Sequence, residues 1–123
     1  MIRGFALVAA LLSTVAAPLA AQDGLSDEDL AVRRLRACLT AGSASAPKDS
    51  LLAAVAALRS LCYAQINGVR DIRLGQVDAT YGLPEARLSA GRQEDLERAR
   101  DAAERRLNNE IAQAVSKFTG LTN

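Results

Sequence analysis

Residues 51–81, LLAAVAALRSLCYAQINGVRDIRLGQVDATY, place apolar side chains at Leu51, Val55, Leu58, Cys62, Ile66, Val69 and Ile72. Steps of three and four put these along one side of an α-helix. Leu52, Leu61 and Val77 widen the stripe past half the circumference, as in a helix packed on two sides, so this stretch is expected to be the central helix of three. Asn67-Gly68 and Gly75 interrupt the pattern, and each glycine costs about 1 kcal/mol in a helix interior, which leaves the end of the helix open. Residues 72–81 also alternate around Gly75-Gln76, as a small hairpin would. An isolated hairpin is marginal in water, so helix is preferred.

Upstream, Leu25-Ser26-Asp27-Glu28-Asp29-Leu30 has the form of a helix start. Ser26 can cap, Asp29 can return the bond and Leu25 can pack on Leu30. Ala31, Val32, Leu35, Cys38 and Leu39 then share one face opposite Arg33 and Arg36. A short helix is expected from Asp27 to Ala41, with Gly42 as its stop. Residues 42–47 read as a small-residue loop, and Pro47 suits the first turn of the next helix. Downstream, Gly82-Leu83-Pro84 is a turn and Ser89-Ala90-Gly91 a second break before a long third helix. Its apolar side carries Leu96, Ala99, Ala103, Leu107, Ile111, Ala114 and Phe118, and Gly120 ends it. Glu94 with Arg98, Asp101 with Arg105 and Glu97 with Arg100 are spaced for ion pairs on its other side. The expected fold is all-α: a short helix plus two long amphipathic helices in a three-helix arrangement, closed by one disulfide.

The disulfide follows from where the chain is expected to go. Arg3, an apolar run from Phe5 to Ala17 and then Pro18-Leu19-Ala20-Ala21 have the layout of a signal peptide cleaved after Ala21. The run is shorter than the roughly 20 apolar residues that span a bilayer. Residues 22–123 would then form one small domain, periplasmic or secreted, with no transmembrane segment in the mature chain. Cys38 and Cys62 are the only cysteines, and an oxidising compartment closes such a pair. They are too far apart in sequence for a Cys-x-x-Cys redox motif. With Cys62 near the middle of a helix starting at Pro47-Lys48, about 20 Å from that start, the loop would have to run back along the helix.

The composition removes most chemistry. There is no histidine, so the usual serine and cysteine triads are absent. Two thiolates without further ligands do not make a metal site. Asp95, Asp101 and Glu104 sit among arginines on a solvated helix face, Lys48 and Lys117 lie outside apolar runs, and the glycines form no phosphate-binding loop. The expectation is therefore no enzyme, no cofactor and no metal. Without Arg3, Lys plus Arg balance Asp plus Glu, which gives no long-range field toward nucleic acid. What remains is a small helical binding protein acting by protein–protein contact or self-association. The alternative is a binder of a small anionic or lipidic ligand, for which Arg33, Arg34 and Arg36, with Arg70 and Arg73, are the candidate face.

Overall fold

In the computed structural model, residues 24–122 are described, and the expected signal segment lies outside the described residues. Ser26 Oγ accepts from the Asp29 N–H at 3.1 Å while the Asp29 carboxylate accepts from the Ser26 N–H at 3.3 Å, the reciprocal pair anticipated from the sequence. This start launches α1 (Asp27–Ser43), which buries Ala31, Leu35 and Leu39. The expected stop at Gly42 is corrected: Gly42 is helical and buried, and α1 runs past it. A Cβ there would lie 2.5 Å from Leu58 Cδ2 and 2.7 Å from Leu61 Cδ2, so glycine serves close approach of helices rather than capping. Lys48 Nζ instead reaches back and donates to the Ser43 carbonyl at 2.6 Å, satisfying an end-of-helix acceptor.

The next helix starts later than expected. Pro47 stays in the loop, and α2 (Leu51–Leu61) begins behind Ser50, whose Oγ accepts from the Ala53 N–H at 3.1 Å. At Cys62 (φ −101°, ψ 22°) the chain leaves helical geometry for one residue. It then turns through 83° into α3 (Tyr63–Tyr81). The single central helix is thus two helices, so the described residues form four helices in place of three. Leu52 and Leu61, read as widening a buried stripe, are 80% and 62% exposed. Residues 72–81 are helical, not a hairpin, and Gly82 ends α3 with φ 67°. A 3₁₀ turn at Glu85–Arg87 leads to α4 (Ala90–Thr119), capped by Ser89 and ended by Gly120 at φ 75°. No single helix among the described residues is long and apolar enough to cross a membrane.

Direction follows from which residues meet. Cys38 of α1 is bonded to Cys62 at one end of α3, while Glu28 at the start of α1 reaches Arg73 and Gln76 further along it, so α1 and α3 are antiparallel. Asp78 of α3 meets Arg100, and Arg73 meets Glu110, so α3 and α4 are antiparallel as well. Hence α1 and α4 run the same way, and α2 lies across the end where both finish. One core of Leu35, Leu39, Leu58, Cys62, Ile66, Val69, Leu107, Ile111 and Val115 joins all four helices. With α2 starting at Leu51, the climb from its first residue to Cys62 falls to about 16 Å. The loop covers this, and the Cys38 and Cys62 Cα atoms stand 5.9 Å apart.

The glycines separate close approach from mere tolerance. At Gly68 and Gly75 a Cβ would meet nothing within 4 Å, and both face solvent on α3. Gly68→Ala and Gly75→Ala are each expected to raise stability by about 0.5–1 kcal/mol, the helix-propensity difference. Gly42→Ala gains the same propensity but forces the fully buried Leu58 out of place, and is expected to lower stability by about 1 kcal/mol net. Urea unfolding of the three variants checks the difference in sign.

Candidate functional site

The five arginines singled out in the sequence do not form one face. Arg33, Arg34 and Arg36 are exposed on α1, whereas Arg70 and Arg73 of α3 are engaged inside the bundle. Arg73 is 7% exposed. Its Nε donates to Glu28 Oε1 of α1 at 2.8 Å and its Nη1 to Glu110 Oε2 of α4 at 2.6 Å, so one guanidinium clamps three helices. Gln76 Nε2 supports Glu28 at 3.2 Å, and Arg106 Nε supports Glu110 at 3.1 Å. Burial alone would lower the Arg73 pKa, but its hydrogen bonds to Glu110 and Glu28 outweigh that and raise it. The same bond from Arg73, aided by Gln76, holds the Glu28 carboxyl below the usual carboxylate range. Arg70 Nε pairs with Glu104 at 2.8 Å, and its Nη1 donates to Asn67.

The charges on α4 also find other partners than the sequence spacing suggested. Asp95 pairs with Arg98, and Arg106 with Glu110. Arg100 crosses to Asp78 of α3 at 2.8 Å and to Glu85 of the 3₁₀ turn at 3.4 Å. Arg92 lies over the Tyr81 ring, 4.7 Å from its centre, so the α3–α4 turn is held by arginine from both sides. Of the three acids weighed as catalytic, Asp95 and Glu104 are ion-paired to arginine and Asp101 is exposed. The buried side-chain polar atoms among the described residues all have hydrogen-bond partners. Arg70, Arg73 and Arg100 tie elements together, while the Asp95–Arg98 and Arg106–Glu110 pairs run along α4.

Two surfaces stand out among the described residues. One is the corner at Cys62, where Leu61 and Tyr63 are 62% and 66% exposed on either side of a buried half-cystine. The other is a half-open groove of about 340 Å³ between α1 and α4. Val32, Leu35 and Leu39 line it from α1, Ile111 and Ala114 from α4, and Val69 from α3 beneath. Its polar lining is Arg36, Glu110, Gln113 and Lys117. Of the sequence candidates only Arg36 belongs to this groove, while Arg34 lines a smaller hollow with Ala31, Ala64, Gln65 and Gly68. Lys117 was weighed in the sequence only as a catalytic lysine and not as a partner of Arg36, because it stands far from the arginine cluster. Its spacing from Ala114 and Gln113 on the α4 face was the available sign. Comparison with protein-family models, curated proteins and solved structures finds no match for this chain.

Proposed function

We propose that the chain is an exported helical binding protein, periplasmic or secreted, that acts by contact with a protein partner and not by catalysis. The observation that carries this is the Leu61–Tyr63 corner: large apolar side chains are exposed where the backbone is pinned by the Cys38–Cys62 disulfide, so the surface is rigid and ready to be covered. The disulfide is in keeping with an oxidising compartment. Of the carboxylates weighed for chemistry, Glu104 is held by Arg70 and Asp95 by Arg98, which favours contact over catalysis.

The test is capture from cell-envelope extract with the tagged protein, beside a Leu61→Glu, Tyr63→Glu double variant and an Arg33→Gln, Arg34→Gln double variant. A protein retained at one copy per chain by wild type and by the arginine variant, and lost from the corner variant, is the expected result. A second copy of the chain in that role would make the contact self-association. Identical capture by all three proteins would contradict the proposal.

A further inference from the structure

The α1–α4 groove carries an inference of its own, separate from the corner, since neither Leu61 nor Tyr63 lines it. Its charge is one-sided. Glu110 is the single carboxylate in the lining, and both of its oxygens are engaged, Oε2 by Arg73 and Oε1 by Arg106. Among the described residues neither Arg36 nor Lys117 has a carboxylate within 4 Å, so the groove presents two cations beside an apolar floor.

The two cations also share one end. Glu28 of α1 and Glu110 of α4 are level with each other, since both grip Arg73. The helices run in the same direction from there. Arg36 lies eight residues on and Lys117 seven, about 12 and 10 Å along their axes. The apolar positions Val32, Leu35, Ile111 and Ala114 fall between the Arg73 clamp and these cations. The result is an amphipathic trough, greasy along its length and positive at one end.

About 340 Å³ is at the small end of the range for small-molecule sites and suits a single slender amphiphile, and two cations without carboxylate partners call for an anionic head. We propose that this groove binds a single medium-chain carboxylate, its hydrocarbon lying on Val32, Leu35, Ile111 and Ala114 and its carboxylate held by Arg36 and Lys117. Burying each methylene supplies the affinity, and the paired cations supply the choice of an anionic head.

Calorimetric titration of the purified protein with decanoate, kept below its aggregation concentration, tests this beside decanol and acetate. The expected result is one saturable decanoate site per chain, with decanol bound at least about tenfold more weakly and acetate not detected. Arg36→Gln and Lys117→Gln should each weaken decanoate about fivefold, the scale of one exposed ion pair, and leave decanol and thermal stability unchanged. Ala114→Phe, which fills the trough, should abolish binding of both. Absence of a saturable decanoate site, equal binding of decanol, full decanoate affinity in the two cation variants, or binding only to phosphatidylglycerol vesicles would each overturn the proposal. Any of these outcomes leaves the partner-contact reading to its own capture test.

Discussion

Replacing Cys38 and Cys62 together by alanine is expected to lower stability by about 3.5 kcal/mol, the loop-closure entropy of a bridge spanning 24 residues. For a domain of this size that corresponds to a fall in Tm of about 15 °C or more, out of a total stability of about 5–15 kcal/mol. The position of the bridge makes the effect large. Cys62 is fully buried at the one-residue break between α2 and α3, and the bond ties that break to α1. Without it, α2 is held by Leu51, Ala54 and Leu58 and by one bond from Arg59 to Asn108, a thin attachment for eleven residues. Amide exchange in the double variant should therefore quicken first in α2 and the loop before it. A Tm change under 5 °C, or exchange that quickens uniformly, would show that the bridge is incidental to the fold.

The second large effect concerns the Arg73 clamp. Removing both acids, Glu28→Ala with Glu110→Ala, strands a guanidinium that is 7% exposed, and is expected to cost about 3–5 kcal/mol. Removing the cation instead, as Arg73→Met, leaves two carboxylates that can turn to water, with side chains 27% and 41% exposed. Each keeps a second partner, Gln76 and Arg106. That variant is expected within about 1 kcal/mol of wild type, and adding it to the double acid variant should recover most of the loss. Denaturant unfolding of the set gives the comparison. Equal losses for the acid and arginine variants would contradict a buried charge as the cause.

The clamp also sets a pH dependence. The folded-state pKa of Glu28 is lowered, so its contribution is fully present above the ordinary carboxylate range and is lost as pH falls through that range and below it. Arg73 is shifted upward, so its charge is retained throughout any ordinary pH range. Stability should be flat from neutrality down to about pH 5 and then fall in acid, and Glu28→Gln should flatten part of that fall.

The ends of the long elements were legible because capping is local chemistry. Ser26 with Asp29 and Gly120 stand where the sequence put them, α4 begins at Ala90 inside the expected Ser89-Ala90-Gly91 break, and it follows its apolar spacing from Leu96 to Phe118. The corner at Cys62 was not legible. Leu58, Cys62 and Ile66 keep helical spacing across the break because the two helices, meeting at 83°, point these residues into the same core. No proline or glycine marks the place, and it was the exposure of Leu52 and Leu61 that showed α2 to be covered on one side only. The glycines of α3 left its end open in the sequence, yet the preferred helix holds, since a solvent-facing Gly68 or Gly75 weakens a helix without ending one once Ile66, Val69 and Ile72 are packed.

The candidate site was less legible, for a reason of the same kind. Arginines clustered in sequence suggest a charged face, but a single sequence does not show which of them have carboxylates waiting on another helix. Arg73 had one sign of its role, the spacing that carries the buried stripe from Ile66 and Val69 onto it. The groove depends on how α1 and α4 both pack on α3, with Val69 beneath them, and that arrangement is absent from any local pattern.

The separation of a charge-clamped bundle from its binding surface is tested most directly by residue-resolved NMR of the protein titrated with decanoate. Saturable shifts confined to amides of residues 32–39 and 110–117 and to Val69 on the groove floor, with the Arg73 and Arg70 ion pairs undisturbed, are expected. Shifts centred on Arg70 and Arg73, or spread over the Leu61–Tyr63 corner with none in the groove, would contradict it.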